Sequence, residues 1–343
     1  MNPTPFLSVI KPVYNSDDYL QNAIDSVKNQ SFTDWELICV NDNSQDNSLI
    51  ILENNRRKDN RIRVINSPRN IGAGFARNLA LEKIRGEYVT FLDSDDTVNP
   101  GLYEKVYSAV KSFSPHRVVW GLSEIHTDKN GKPFKKIPIT EKQGFFENGK
   151  MVEKVLSLEE KTLFGYQWNS AYKADIIREN GITGEPVIFY EDYFFNLKFC
   201  EHSSNICVLD FLGSNYYKRK NKSVTHTFTE AYFPLSYRRI ESMYAYCLKG
   251  GIPKEQIEKA LSKRFARYIY SALSRNCDKR SNLNLRERKD FIETLFKSDM
   301  YKKLIETYNC NFTFNGLMIF PLKHKSVNLL SLLGRMIYKW KGL

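Results

Sequence analysis

The strongest constraint in this chain is an alternation that runs through its first 120 residues, where β-rich segments are separated by segments of helical spacing. Phe6 to Pro12 reads as a strand that Pro12 ends. Asp18 to Asn29 places Leu20, Ala23, Ile24 and Val27 on one helix face. Trp35 to Val40 is a second strand, and Ser44 to Asn55 a second helix with Ser44 as its expected N-cap. A strand at Ile62–Ile65, a helix over Ala73–Ile84 and a strand at Tyr88–Leu92 continue the pattern, followed by a helix over Leu102–Phe113 and a strand at Val118–Gly121. Strands alternating with helices of this length imply right-handed βαβ units and a parallel sheet covered on both faces. Ligands of such a sheet bind beyond the carboxyl ends of its strands.

Polar clusters stand at those ends: Tyr14-Asn15, Asn41-Asp42-Asn43-Ser44 and Asp93-Ser94-Asp95-Asp96. One such cluster would be an ordinary turn, since Asn, Asp and Ser form turns unaided. Three at one sheet edge point to a site. The chain has no G-x-x-x-x-G-K-[ST], no H-E-x-x-H and no G-x-S-x-G. Gly72-Ala73-Gly74 opens like a dinucleotide fingerprint, but Arg77 stands at the third glycine position and the run follows the third strand. The positive signal is Asp93-Ser94-Asp95, directly after a strand. Two carboxylates at spacing two suit Mg²⁺ or Mn²⁺ shared with a phosphorylated ligand, because these hard cations take oxygen donors.

As an ordered set these segments resemble glycosyltransferase family 2 of the GT-A fold. Leu7–Asn15 resembles the family's opening strand, Asn29–Ser48 its second strand and acidic turn, Asn70–Asn78 its third block, and Gly86–Asp96 its metal-binding block. Trp168–Ile182, Phe189–Phe199 and Asn215–His226 resemble the acceptor-side half of bacterial enzymes that build lipopolysaccharide, capsule or exopolysaccharide. The resemblance fades after about residue 230. It implies a Rossmann-like, mostly parallel α/β sheet with helices on both faces. It also implies inverting transfer of a hexosyl or N-acetylhexosaminyl group from a UDP-sugar to a glycan or lipid-linked acceptor, with Mn²⁺ or Mg²⁺ as cofactor.

Roles carry over by position. Tyr14 is expected to stack near uracil and Asp42 to hydrogen-bond the base, with capping of the following helix as a second task for Asp42. Pro12, Asn70, Arg77 and Ser94 belong to the nucleotide-sugar side. Asp93 contacts ribose or sugar hydroxyls and is a second candidate metal ligand, while Asp95 ligates the metal on the pyrophosphate. Asp192 matches the general base, and Glu191 is the adjacent alternative. Trp168 and Asn169 are acceptor-side candidates, Trp168 being open to a core reading. His226 is read either as a metal or pyrophosphate contact or as structural. Arg219 and Lys220 are expected to be solvated, diphosphate contact being the lesser reading. Lys11 departs from the family, which usually has an aliphatic residue there; its stem lies along the sheet or its ammonium near phosphate. No Q-x-x-R-W is present, so a processive synthase is not expected. The alternatives are a nucleotidyltransferase, which would carry a glycine-rich loop near its first strand, and a non-catalytic nucleotide-sugar-binding protein.

Residues 1–228 are expected to form the catalytic domain, with a nucleotide-sugar half (1–120) and an acceptor half (121–228), and 229–343 a basic helical region. Net charge is +12, and residues 201–343 carry 26 basic against 12 acidic residues, net +14. Such asymmetry suggests an anionic partner. The acidic excess of the first hundred residues, 14 against 11 basic, disfavours nucleic acid. Ser326 to Lys341 spaces Leu329, Leu330, Leu333, Met336, Ile337 and Trp340 as one helical face beside Lys323, Lys325, Arg335, Lys339 and Lys341. That face reads as a membrane-surface helix or as core. Six scattered cysteines without C-x-x-C fit a reducing compartment, and no signal peptide or long apolar run is evident. The expected location is cytoplasmic, peripheral on the inner face of the cell membrane.

Overall fold

The computed structural model describes residues 4–219, 228–308 and 314–340, the last with backbone alone for 314–318. The chain divides into two compact units, Met1–Ser223 and Val224–Leu343. In the first, β1 (Leu7–Val13), α1 (Asp17–Lys28), β2 (Trp35–Asn41), α2 (Ser48–Lys58), β3 (Ile62–Asn66), α3 (Ala73–Leu81) and β4 (Tyr88–Phe91) alternate. These four strands pair parallel in the order β3-β2-β1-β4. Val9, Leu20, Ile24 and Leu52 close one face of the sheet, and Ile10, Ile38, Ala76 and Phe195 the other. Double coverage is why β1 and β2 are buried along their whole length. The chain leaves β1 toward β2 and β3, then returns through α3 to β4 on the other side of β1. The carboxyl ends of β1 and β4 therefore flank a topological switch point, where open α/β sheets bind ligands.

Beyond β4 come β5 (Thr97–Val98), α4 (Leu102–Phe113), β6 (Arg117–Thr127), β7 (Pro133–Ile139), β8 (Gly144–Glu147) and α5 (Asn148–Glu160). They are followed by β9 (Ser170–Lys173), α6 (Ala174–Glu179), α7 (Glu191–Glu201) and β10 (Asn205–Lys218). Here the sheet stops being purely parallel. β9 lies between β4 and β6, antiparallel to both, while β5 and β8 run antiparallel to β10 and β7 antiparallel to β6. β6 and β10 remain parallel to each other. A four-residue strand placed by pairing across about eighty residues leaves no local period, so the alternation alone could not announce it.

The second helix begins at Ser48, and Asn47 rather than Ser44 holds its N-cap position. Ser44 binds the segment just after β1 instead, and Asp46 joins the first residues of α1 and α2. Asn15 N–H donates to Ser44 Oγ at 3.2 Å, and the Asp46 carboxylate accepts the N–H groups of Asp17 and Ser48 at 3.0 and 2.9 Å. Pro12 does not end β1; it pairs in register with Val40, and the strand runs on to Val13.

The second unit contains α8 (Tyr232–Lys249), α9 (Lys254–Arg275), α10 (Leu285–Lys297), the short α11 (Asp299–Tyr301), α12 (Phe314–Lys323) and α13 (Val327–Trp340). A capping box starts α10: Asn284 Oδ1 accepts the Glu287 N–H at 3.1 Å, and Glu287 Oε2 accepts the Asn284 N–H at 2.7 Å. Among the described residues no helix is long and apolar enough to cross a membrane.

Candidate active site

Hydrogen bonds join the three polar strand ends into one edge. Gln45 N–H donates to Asn15 Oδ1 at 2.8 Å, tying the end of β2 to that of β1. The hydroxyls of Ser16 and Ser94 lie 2.7 Å apart, tying β1 to the turn after β4. Asp42 is buried, and its two carboxylate oxygens accept the N–H groups of Ile71 and Gly72 at 2.7 and 2.8 Å. It therefore does not cap α2; it holds the entrance to α3, where Gly72 adopts φ +86°, a value glycine tolerates without strain. Tyr14 projects from the end of β1 and is 47% exposed.

Arg77 is the hub of the site. It is presented by α3, whose Asn78 exchanges two hydrogen bonds with the backbone of Gly184 at 2.7 and 2.8 Å. Its guanidinium reaches Asp93 Oδ1 through Nη2 at 2.8 Å, and Asp192 Oδ1 and Glu191 Oε1 through Nη1 at 3.0 and 3.4 Å. Burial alone would lower its pKa, but the carboxylates of Asp192, Asp93 and Glu191 prevail and raise it. Asp192 also accepts the Gln167 N–H at 3.3 Å. Burial pushes the Asp192 carboxyl up to about 7; Arg77 opposes the rise, and the charges of Glu191 and Asp93 add to it. Glu191 and Asp192 open α7 directly after Tyr190, which sits at φ +68°. A bulky residue in that region is strained, and such strain concentrates at functional turns.

The turn after β4 forms the opposite wall. Lys11, on the same face of β1 as Val9 and Val13, is fully buried and donates from Nζ to the Asp93 carbonyl at 2.8 Å. This settles its place: the ammonium lies under the acidic turn. Burial pushes its pKa down to about 8, against the raising effect of Cys39, Asp93, Asp96 and Asp95. Asp96 is buried as well and accepts the Tyr217 N–H at 2.9 Å. Burial, then Asp95 and Asp93, hold its carboxyl well above the usual range. Asp93 and Asp95 keep side-chain exposures of 30% and 44%, so both offer oxygens to the cleft. No group of three or more potential metal ligands occurs among the described residues. A pair of carboxylates nonetheless fits Mg²⁺ or Mn²⁺, which usually takes one or two from protein and the rest from phosphate and water.

Arg219, expected to be solvated, instead pairs with Asp95 Oδ2 at 2.6 Å and donates to the Asp95 carbonyl at 2.9 Å. Its guanidinium stacks 3.9 Å above the Tyr19 ring. Tyr217 also lies against this guanidinium, at 4.9 Å, and is the one aromatic neighbour that the sequence itself sets beside the basic run.

Other expected site residues do not join this cluster. Trp168 is buried and stacked on Tyr166 at 4.6 Å, which makes it core. Asn169 is fully buried, its amide donating to the carbonyls of Leu163 and Trp120 at 2.8 and 3.3 Å, so neither residue presents a surface to an acceptor. Pro12 is buried within β1. Asn70 is exposed on the loop before α3. His226 and Lys220 lie outside the described residues.

A sheet with its switch point between β1 and β4, an acidic turn on one wall and Glu191-Asp192 on the other, defines a glycosyltransferase of the GT-A fold. Residues 1–349 of TarS from S. aureus, crystallised in complex with UDP-GlcNAc, match it with a TM-score of 0.67 at 21% identity, over 98% of this chain and 92% of that one. Residues 8–181 match the family model for glycosyl transferase family 2, and the chain belongs to that family. The uncharacterized glycosyltransferase EpsJ of Bacillus subtilis is 29% identical over 222 residues, covering 64% of this chain and 63% of EpsJ. The putative teichuronic acid biosynthesis glycosyltransferase TuaG of the same species is 45% identical over 104 residues, covering 30% of this chain and 41% of TuaG. The chain thus spans less than two thirds of the length of either relative.

Proposed function

We propose that this chain is an inverting glycosyltransferase that moves a hexosyl or N-acetylhexosaminyl group from a UDP-sugar to a hydroxyl of a glycan or lipid-linked acceptor in bacterial surface-polysaccharide synthesis. The observation that carries this reading is the guanidinium of Arg77, which holds Asp93 from the donor wall and Asp192 from the opposite wall at 2.8 and 3.0 Å. In a single displacement the acceptor hydroxyl gives its proton to Asp192 as its oxygen bonds to the anomeric carbon. The bond from that carbon to the diphosphate oxygen breaks, and its electron pair leaves with UDP. A base whose pKa lies near neutrality suits that transfer. Asp93 and Asp95 would hold the divalent cation, which when bound supplies neutralisation of the charge on the departing diphosphate. Arg219 adds positive charge on the same side. Tyr14 offers its ring to uracil, while Asp42 fixes the Ile71–Gly72 wall of the nucleoside pocket and keeps lone pairs for a base N–H. The UDP-GlcNAc bound by TarS and the teichuronic acid role in TuaG's name support the donor and pathway classes. On this reading the reaction takes place on the cytoplasmic side of the membrane.

A panel of UDP-sugars with Mn²⁺ tests this reading by showing which donor is hydrolysed or transferred. For an α-linked donor, the anomeric coupling in the product's NMR spectrum should be that of a β linkage. An α linkage would refute inversion, and absence of turnover across the panel would leave a binding protein as the better account.

A further inference from the structure

Helix α13 has two apolar faces, and its neighbours cover one of them. Leu330 and Gly334 are buried. A Cβ built on Gly334 would lie 2.9 Å from the Leu273 carbonyl oxygen, so α13 meets α9 at backbone range. α13 also packs against α10. The single amphipathic face read from the sequence is therefore split, because Leu330 turns inward while other apolar residues turn out. Leu329, Leu332, Met336 and Trp340 are 37%, 54%, 56% and 86% exposed. At 100° per residue these four fall within roughly 80° of one another, a continuous stripe away from the packed face. Arg335 and Lys339, one turn apart, are exposed along its border. Lys325, just before the helix, is paired with Glu306 at 2.6 Å, and no acidic residue follows Glu306 in this chain.

We propose that this outer stripe docks on an anionic lipid bilayer. The helix lies in the headgroup plane with Leu332, Met336 and Trp340 reaching the top of the acyl region, and Arg335 and Lys339 meet lipid phosphates. Apolar burial and charge then act together, as they do for interfacial helices in general. Charge complementarity selects this occupant over a second copy of the chain. A two-fold pairing of stripes would bring two sets of Arg335 and Lys339 to one seam, and α13 itself carries no carboxylate to answer them. The inference stands on α13 alone, and its failure leaves the transferase reading untouched.

Three of the four tryptophans, Trp35, Trp120 and Trp168, are only 1–3% exposed, so emission changes on docking report Trp340. The intact protein is mixed with vesicles of phosphatidylcholine containing phosphatidylglycerol, or of phosphatidylcholine alone. A blue shift and co-sedimentation are expected with the anionic vesicles, lost at high salt because exposed charges are then screened. The variant Leu332→Ser/Met336→Ser, which leaves Leu330 and Gly334 packed, should bind at least about tenfold more weakly. Arg335→Gln/Lys339→Gln should lose a similar factor on anionic vesicles. Both variants should hydrolyse the donor as the parent does. No binding to anionic vesicles, equal binding to neutral ones, or unchanged binding by either variant would overturn the proposal. So would a dimer in sedimentation that the Leu332→Ser/Met336→Ser change abolishes, since it would assign the stripe to a second copy.

Discussion

Asp192→Asn is expected to lower kcat by at least about a hundredfold, within the range usual for loss of a general base, while UDP affinity stays nearly unchanged. The substitution keeps an oxygen that can accept from Arg77 Nη1 but removes the capacity to take a proton. The parent's pH profile carries the same information. Asp192 must be unprotonated to act, and burial pushes its pKa up to about 7. The rate should therefore rise with pH through that region and level above it, with a tenfold loss per unit on the acid side. Glu191 lies 3.4 Å from the same guanidinium and is the internal control. An active Asp192→Asn beside a dead Glu191→Gln would exchange the two roles.

Asp95→Ala should reduce turnover by about a thousandfold or more, since a cation at a developing phosphate charge contributes several kcal/mol to the transition state. The fold should survive, because Asp95 sits in a turn with its side chain 44% exposed. EDTA should inactivate the parent enzyme, and Mn²⁺ or Mg²⁺ should restore it. Full activity in EDTA would remove the metal from the scheme and leave Arg219 as the cation nearest Asp95.

The parts of the fold that were legible are those written in a local period. α1, β2 and α4 stand where apolar spacing put them, within a residue or so at each end. β9 was not legible, because its place between β4 and β6 depends on pairing with residues far along the chain. The start of α2 differs from the expected one because Ser44, which reads as a cap, accepts the Asn15 N–H beyond β1 instead. At the site, the carboxylates could be found from their positions at strand ends. That one arginine would hold Asp93, Glu191 and Asp192 together could not, since the contact joins α3 to α7 across more than a hundred residues. The Lys218-Arg219-Lys220 run reads as a solvated surface until Tyr19 is seen beneath Arg219. α13 shows the same limit: spacing identified an apolar face, but only α9 and α10 decide which of its residues are covered.

Lys11 gives the chain an unusual response to alkali. Its folded pKa of about 8 lies below the ordinary 10.5 that it regains on unfolding. Below pH 8 both states hold the proton, and above 10.5 neither does. Between those values the unfolded chain binds more protons, so the contribution of Lys11 to stability grows with pH. The gain amounts to about 3 kcal/mol over the whole window. From pH 8 to pH 10 the stability of the parent relative to Lys11→Met, read from urea midpoints, should grow by about 2 kcal/mol; equal pH dependence in the two proteins would contradict it. At this one buried ammonium, folding in mildly alkaline buffer expels a proton.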